Sequence, residues 1–427
     1  MLGGSLVPRI EGEGRVYVYV KNGRVERVEF AVVEAQRYFE RLLRGRRVDE
    51  VPDVVSRICG FCGVSHALNA AIALEKCLGI AVDEAVEEFR RVLHLAERVK
   101  SHVLHAFFLN LPDYVGGKSL FDLKAVNPGF VEAAMKLAAS SLKALEALGG
   151  RSHNVVGIRV GGAYLPSIEE AAKALKHVEE SIKLAGQLAE VVLSLKTIPS
   201  EGLLKPTLFL EPRGEYPHVG ERLVLLRPAG AEVFGSEEFE QRAEGFREPG
   251  KNAAVYRIGG ESCITGPIAR FNAAYGFLRE ETRELLELFG WRPPLRDVRQ
   301  SIVARIAEIY DALLVLRDFL AEYKKPAQAG VYAAATASPR SRSACTSVVE
   351  APRGVLYHKY VVNEELRVVE AKIVTPTQIN IAGVEEIARE ALSGAGPLSE
   401  GDLRRAAEAL VRSVDPCLSC SVHVVKL

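Results

Sequence analysis

Residues 413 to 427 of the chain read SVDPCLSCSVHVVKL and hold two of its seven cysteines and one of its nine histidines. Chain ends fray unless tertiary contacts or a bound group hold them. The C-x-x-C pair Cys417 and Cys420 therefore predicts that this end is fixed within the fold. A second such pair, Cys59 and Cys62, lies in RICGFCGVSH (57–66), almost a whole chain length away.

Two C-x-x-C turns can bring four sulfurs to one centre, and thiolates are soft ligands for zinc, copper(I), nickel or iron-sulfur clusters. By spacing alone, a zinc site that staples the fold and a site for redox chemistry have about equal weight. The separation of the pairs favours chemistry, because structural zinc sites are compact local units.

The composition describes a globular protein with a large core, since 48% of 427 residues are hydrophobic. The 55 basic residues balance the 55 acidic ones, so net charge predicts no nucleic-acid or anionic-membrane partner. The sequence has no apolar run of membrane-spanning length and no signal-peptide pattern, which predicts a cytoplasmic location. Few methionines and abundant Glu, Arg and Val are typical of a thermophile.

Hydrophobic periodicity predicts the elements of secondary structure. Residues 15–33 alternate in polarity around Asn22-Gly23, which predicts a β-hairpin. Loops and short strands are predicted for 200–268 and 326–382. The predicted helices cover 34–45, 64–78, 83–111, 131–148, 167–198, 269–289, 297–324, 384–394 and 400–412.

The predicted fold class is α+β and predominantly helical: a central bundle of long helices, flanked by the N-terminal hairpin and a mixed strand-loop insertion. We predict one domain over residues 1–427. Its parts are 1–63 with the hairpin and first cysteine box, the helical 64–199, the insertion 200–268, and 269–427 with the second cysteine box.

The two cysteine boxes, RICGFCGVSH and VRSVDPCLSCSVH (411–423), resemble those of the large, catalytic alpha subunit of nickel-iron hydrogenases of the cytoplasmic archaeal type. Further segments agree in order along the chain, so the resemblance covers nearly all of it. They are RIEGEG (9–14), YFERLLRGR (38–46), TGPIARFN (265–272), EAPRG (350–354) and PTQIN (376–380).

The resemblance implies a nickel ion bound by all four cysteines, Cys59 and Cys417 as terminal ligands and Cys62 and Cys420 also bridging to an iron that carries carbonyl and cyanide. Soft sulfur donors suit a redox-active nickel. It further implies reversible, heterolytic cleavage of H2 to protons and electrons.

Further roles also come from the resemblance. The proton acceptor is the thiolate of Cys417 or the guanidine of Arg353, and the proton leaves through Glu11. Taken alone, a Glu or Arg is more often a solvated or ion-paired charge, and an arginine base is unusual because its free pKa exceeds 12.

A second, structural cation, Mg²⁺ or Fe²⁺, is implied at Glu40, His423 and the main-chain carbonyl of Ile381. It would explain why the chain end is fixed. Around the nickel-iron centre the resemblance implies a hydrogen bond from His66 to a bridging cysteine, hydrogen bonds accepted by Asp415, and Pro352 beside the diatomic ligands.

Two features depart from the family pattern. Ser101 stands where many members have an aspartate, and only VVKL follows His423, where precursors of most members have a longer tail that a protease removes. The remaining cysteines, Cys77, Cys263 and Cys345, are predicted to be small buried hydrophobes without a partner.

No further cysteine cluster is available for an electron relay, so the resemblance implies an iron-sulfur small subunit as partner. Beyond it, a diaphorase, a deazaflavin-reducing module or a heterodisulfide reductase is an option, and maturation proteins would load the metals. The alternatives are a metal-free homologous scaffold subunit of a respiratory oxidoreductase, a zinc-stapled structural protein and a regulatory hydrogen sensor.

Overall fold

The structure, a computed structural model, describes residues 2–125, 127–247, 251–324, 342–394 and 398–421. Its α-helices are α1 (Phe39–Leu42), α2 (Val51–Val55), α3 (Gly63–Leu78), α4 (Glu84–Val103), α5 (Pro128–Gly149), α6 (Ile168–Leu193), α7 (Phe239–Arg242), α8 (Pro267–Ala274), α9 (Glu280–Leu288), α10 (Ser301–Glu322), α11 (Pro376–Gly394) and α12 (Glu400–Ser413).

Within the described residues, the strands form three sheets and two small two-stranded pairs. They are β1 (Leu2–Leu6), β2 (Gly14–Lys21), β3 (Arg24–Val32), β4 (Ile158–Arg159), β5 (Gly162–Ala163), β6 (Thr207–Leu210), β7 (Val219–Gly220), β8 (Arg222–Arg227), β9 (Gly230–Gly235), β10 (Ala243–Phe246), β11 (Val255–Ile258), β12 (Ile264–Thr265), β13 (Ser343–Ala351), β14 (Gly354–Val362) and β15 (Val368–Val374). The sheet orders are β1-β2-β3, β12-β6-β8-β9 and β15-β14-β13-β7.

The centre of the molecule is a bundle of the four longest helices. Helix α5 packs on α4 and α6, and α10 packs on α4 and α6 from the other side. Helix α6 begins with the capping box that Ser167 and Glu170 predict, in which each side chain binds the other's backbone N–H. The predicted α+β class with a central helical bundle is therefore confirmed.

The N-terminal hairpin forms as the sequence predicts. Strands β2 and β3 pair antiparallel, and both turn residues have positive φ, 52° at Asn22 and 75° at Gly23. A two-residue hairpin turn needs this backbone conformation, which Asn and Gly tolerate best. Strand β1, which was not predicted, adds to the free edge of β2.

Helix α11 begins earlier than the predicted residue 384. It starts at Pro376, where the Gln378 side chain accepts a hydrogen bond from the Thr375 backbone N–H at 2.9 Å. Proline suits a first helical turn because its missing N–H is not needed there. The segment PTQIN is thus a buried helix start, and not a loop.

Other helix predictions are wrong in their extent. The segment 34–45 contains only the short α1, and 269–289 is divided into α8 and α9 by a 3₁₀ turn at Tyr275–Phe277. Helix α4 continues as a π-helix over Leu104–Asn110 and ends, as predicted, at Leu111-Pro112. The proposed division of the chain at residues 63, 199 and 268 stays a prediction.

The expectation that Cys77 and Cys345 lack a partner is wrong. Helix α3 packs on β13, which brings the two Cα atoms to 5.5 Å in a disulfide. That distance is within the usual range for disulfides. Cys263 is a free, buried cysteine, as predicted. Among the described residues, no helix is both long and apolar enough to cross a membrane.

Candidate metal centre

The four cysteines of the two boxes meet in the interior. The Sγ atoms of Cys59 and Cys417 lie 3.1 Å apart, those of Cys62 and Cys420 3.3 Å, and those of Cys417 and Cys420 2.7 Å. All four sulfurs lie within 4.8 Å of one another, and all four residues are buried. The predicted convergence of the two boxes is therefore present in the fold.

The first box sits at the start of a helix. Cys59 comes directly after a 3₁₀ turn, and its own backbone is extended. Cys62 is the residue before the first turn of α3. The Phe61 N–H points back at the Cys59 Sγ at 3.2 Å. The carboxylate of Glu97 on α4 accepts from the backbone N–H groups of Val64 and Ser65, at 2.6 and 2.9 Å.

The second box follows the end of α12 and is held by the N-terminal part of the chain. The Glu11 carbonyl accepts from the Leu418 N–H at 3.0 Å, and the Glu11 carboxylate accepts from the Ser419 N–H and hydroxyl at 3.1 and 2.5 Å. Cys417 N–H donates to the Thr377 hydroxyl at 2.9 Å. These contacts fix the backbone of residues 417–419 in the second cysteine box.

The protons of the four sulfurs are shared unequally. Burial raises the pKa of Cys417 and of Cys420 well above the usual range. Burial acts in the same direction on Cys59, but hydrogen bonds from the other three sulfurs and the charge of Arg353 hold its pKa well below the usual range. One thiolate in a group of thiols is the expected state of such a cluster without metal, and cations replace these protons when they bind.

Arg353 is a buried cation beside the sulfurs. Its Nε donates to the Asp415 carbonyl at 2.8 Å, and its Nη2 lies 3.1 Å from the Asp415 carboxylate. Burial acts against the cation, but Asp415 and the cysteine sulfurs outweigh it and raise the pKa of Arg353 well above its usual range. The guanidinium is therefore a fixed positive charge, with Asp415 as its anchor.

The segments TGPIARFN and EAPRG, far apart in sequence, pack against each other behind Arg353. The Arg270 guanidinium donates to the Ala351 and Pro352 carbonyls at 2.9 and 3.0 Å. A Cβ at Gly266 would lie 2.6 Å from the Arg353 carbonyl oxygen, and its φ of 117° also favours glycine. The loop that carries Arg353 thus rests directly on this backbone.

Buried acids balance the charge of Arg270. Its Nε and Nη2 donate to the Glu308 carboxylate at 2.8 and 2.7 Å, and its Nη1 donates to Glu350 at 2.7 Å. His102 also contacts Glu308, with 2.7 Å between Nε2 and the carboxylate oxygen. This cluster of buried charges fixes the backbone of residues 350–353, and sequence reasoning did not single it out.

A small cavity of about 10 Å³ adjoins the sulfurs. Its wall includes the side chain of His66, whose Nδ1 is 3.1 Å from the His358 Nε2. Pro352 is buried next to Arg353, and its contact with Arg270 is through its carbonyl. The cavity is lined by Cys62, His66, Ala351, Arg353, Leu356, Pro376, Thr377, Cys417 and Cys420.

The residues predicted to bind a second cation are only partly described. Glu40 on α1 accepts from the Ile373 N–H at 2.8 Å, and burial raises its pKa to about 8. Ile381 is buried in α11. His423 lies outside the described residues. The cation site therefore stays a prediction.

Side chains of α4 next to the first box were not predicted. Glu97 and Lys100 are both buried, and the Lys100 ammonium donates to the Gly60 carbonyl at 2.9 Å. Ser101 is buried too, and its hydroxyl has no hydrogen-bond partner in the part of the chain described. Charged residues at 94–100 in a helix of the central bundle were the sequence signal, since buried charges need partners.

The chemistry of the donor set suits a nickel-iron pair. Four buried sulfurs at mutual contact distance suit soft transition metals, and they give no oxygen ligand that would favour Mg²⁺ or Ca²⁺. The Nη1 of Arg353 is buried and has no hydrogen-bond partner among the described residues. Such a donor beside the sulfur cluster fits an anionic group on the bound metals. The residues present therefore fit the pair.

The fold and the site define a metalloprotein whose metal centre is bound by cysteines from the two ends of a helical α+β chain. Comparison with known proteins makes the class specific. The family model described as nickel-dependent hydrogenase matches residues 37–184 and 255–423. The chain belongs to this family, whose members are oxidoreductases acting on H2.

Individual relatives agree along almost the whole length. The alpha subunit of sulfhydrogenase 2 from Pyrococcus furiosus is 31% identical over 98% of each chain. The beta subunit of the NAD-reducing hydrogenase HoxS from Cupriavidus necator is 26% identical, over 98% of this chain and 94% of the relative. A solved NAD⁺-reducing [NiFe]-hydrogenase has the same fold, with a TM-score of 0.86, 24% identity and 98% of each chain covered.

Proposed function

We propose that this chain is the catalytic subunit of a nickel-iron hydrogenase and cleaves H2 reversibly to two protons and two electrons. The observation that carries the proposal is the meeting of four buried cysteine sulfurs from opposite ends of the chain, beside the cation of Arg353. When bound, the metal pair would supply the polarisation of H2 and the electron acceptor. The chain's own residues would bind the pair, exclude water and move the proton.

Cys59, Cys62, Cys417 and Cys420 would hold the metals, with Cys62 and Cys420 between the two ions. These two sulfurs face each other at 3.3 Å across the cluster, a placement that allows both to contact a second ion. The iron would carry carbonyl and cyanide ligands. The buried Nη1 of Arg353 supports this because it is free to donate to an anionic ligand.

The proton acceptor would be the sulfur of Cys417. Arg353 is unsuited to the role, because its surroundings raise its pKa and keep it protonated. Glu11 would receive the proton next: it is bonded to Leu418 and Ser419, directly after Cys417, and it is only half-buried. A carboxylate that contacts both the cysteine box and the surface can carry protons out.

Near the centre, His66 would donate a hydrogen bond to a bridging cysteine through Nε2, since its Nδ1 is engaged with His358. Pro352 would lie beside the diatomic ligands, on the loop fixed by Arg270. A Mg²⁺ or Fe²⁺ ion at Glu40, Ile381 and His423 would hold the chain end. Glu40 in α1 and Ile381 in α11 are the described members of this site.

The electrons would leave to an iron-sulfur small subunit. The supporting observations are the names of the relatives, which are alpha and beta subunits of larger hydrogenases, and the chain's own cysteines. Five are free in the described residues, and four of these belong to the metal centre. Electron acceptors beyond the small subunit would be a diaphorase, a deazaflavin-reducing or a heterodisulfide-reducing module, and maturation proteins would insert the metals.

Metal analysis and infrared spectroscopy of the purified complex test the proposal. We expect one nickel ion per chain, iron in excess of nickel because the small subunit would also carry iron, infrared bands of metal-bound carbonyl and cyanide, and H2-dependent reduction of an artificial electron acceptor. Zinc in place of nickel, without the infrared bands, would identify a structural staple, and the absence of nickel, zinc and the bands would identify a scaffold subunit. Nickel and iron with the bands but without turnover would identify a hydrogen sensor.

A further inference from the structure

Helix α4 presents three buried polar side chains to the first cysteine box. His94, Glu97 and Lys100 follow one another at helical spacing, and each is at most 1% exposed. The Nε2 of His94 is 3.1 Å from the Ser65 hydroxyl, and Glu97 accepts from the Ser65 hydroxyl at 2.6 Å. None of the three has a part in the proposed reaction, yet burying them is costly.

Lys100 reaches the turn between the two cysteines of this box. Its Nζ donates to the carbonyl of Gly60 at 2.9 Å and lies 3.5 Å from the carbonyl of Ser152. Gly60 is exposed, so the ammonium supports the turn from the inside. Without this bond, the Gly60 carbonyl would be free to rotate. The directions of the Cys59 and Cys62 sulfurs would then no longer be fixed.

The described residues give the Lys100 ammonium hydrogen bonds to backbone carbonyls only. Among the described residues, no carboxylate oxygen lies within ion-pair distance of Lys100 Nζ, and both oxygens of Glu97 are occupied by Val64 and Ser65. Burial lowers the pKa of Lys100, and the charges of Glu97, Cys59 and Cys62 oppose that shift. A buried charge is retained only where other charges or dipoles compensate it, and Glu97 and the sulfurs of the metal centre are the nearby anions.

We propose that Lys100 is a positioning residue for the metal centre: it orients the Cys59–Cys62 turn through the Gly60 carbonyl and places a positive charge beside these two ligands. This inference rests on the proposed function only for the identity of the metals. The positive charge of Lys100 would lower the electron density on the bound metals. It would also strengthen the binding of a cation by the four cysteines, because a cysteine thiol must lose its proton to act as a ligand and a nearby positive charge favours the thiolate.

The first test uses the assembled enzyme and the variants Lys100→Met, Lys100→Arg and Lys251→Met. Lys251 is a matched control, because it is a buried lysine paired with Glu385 at 2.7 Å and lies outside the metal centre. We expect the carbonyl infrared band to move to lower wavenumber in Lys100→Met and to return towards the wild-type position in Lys100→Arg. A band at the wild-type position in a metal-loaded Lys100→Met enzyme would overturn the proposal.

The second test covers a Lys100→Met variant that folds but fails to load nickel and iron. The full-length chain, produced without metal, is titrated with cadmium ion alone, and the sulfur-to-metal absorption band reports binding. We expect about tenfold weaker binding in Lys100→Met, the lower end of the effect of outer ligand-supporting residues, and no change in Lys251→Met. Equal affinities of wild type and Lys100→Met would overturn the proposal.

The two tests separate this inference from the proposed function. A wild-type complex without carbonyl and cyanide bands would end the nickel-iron assignment, while the cadmium titration would still report how Lys100 acts on the four thiolates. Conversely, normal bands in the wild type together with unmoved bands in Lys100→Met would end the role of Lys100 alone.

Discussion

The two cysteine boxes supply equivalent ligands but are held in different ways. The first box is fixed by buried charged side chains of one neighbouring helix, at sequence separations of 32 to 40 residues. The second is fixed by a half-buried glutamate 408 residues away and by the hydroxyl of Thr377. Because closing a long loop costs more entropy, the first half of the centre can form within the helical bundle before the second half docks.

The largest effect is expected when the second box loses a sulfur. Cys417→Ser should abolish H2 uptake and strongly reduce bound nickel, because an alcohol is a poor ligand for a soft metal. Metal content and H2-dependent dye reduction measure both. Cys263→Ala, at a buried cysteine outside the cluster, is the control and should keep nickel. A fully loaded Cys417→Ser enzyme would show that the Cys417 sulfur is not required for metal binding.

The next effect concerns Glu11, which would receive the proton from Cys417 of the second box. Glu11→Gln keeps an oxygen for Ser419 but cannot take up a proton, so H2/D2O exchange should fall about a hundredfold while nickel and iron stay bound. Isotope exchange followed by mass spectrometry gives the rate. Glu13→Gln changes an exposed glutamate two residues away and should leave exchange unchanged. Wild-type exchange in Glu11→Gln would remove Glu11 from the proton route.

Removal of the buried acid should weaken the first box. Glu97→Ala leaves the N–H groups of Val64 and Ser65 without an acceptor, which should lower the free energy of unfolding by about 2 kcal/mol. Denaturant titration measures the loss, with Glu88→Ala on the exposed side of the same helix as control. Equal losses of stability in Glu97→Ala and Glu88→Ala would show that Glu97 does not stabilise the first box.

The smallest effect is expected at the hydroxyl that holds the second box. Thr377→Val removes the acceptor for the Cys417 N–H and should cost about 1 kcal/mol of unfolding free energy. Thr377→Ser keeps the hydroxyl and serves as the control. If Thr377→Val were as costly as Glu97→Ala, neutral hydrogen bonds would hold the second box as firmly as charges hold the first.

The local features of the fold were predictable because their causes lie within a few residues. Asn22-Gly23 requires its turn, Ser167 and Glu170 cap their helix, and Leu111-Pro112 ends the helical run that starts with α4. The meeting of the cysteine pairs was predictable for another reason: metal chemistry demands four sulfurs whatever the distance along the chain. These predictions needed no knowledge of packing.

The features that were missed depend on contacts between distant segments. Cys77 and Cys345 have no shared motif, and only the packing of α3 on β13 brings them together. Lys100 looks like any helical lysine until the bundle buries it under Gly60. Arg270 belongs to a motif that the sequence shows, but its hydrogen bonds to the carbonyls of residues 351 and 352 depend on the buried acids that the fold places around its guanidinium.

The Cys77–Cys345 bond spans 268 residues of sequence and encloses the whole helical bundle in one covalent ring. In the chain-entropy treatment, a ring of this size disfavours the unfolded ensemble by about 6 kcal/mol. A buffer with enough dithiothreitol to keep the other thiols ready for metal insertion would also open this ring. Heat resistance and readiness for metal loading are therefore expected to respond to added reductant in opposite directions.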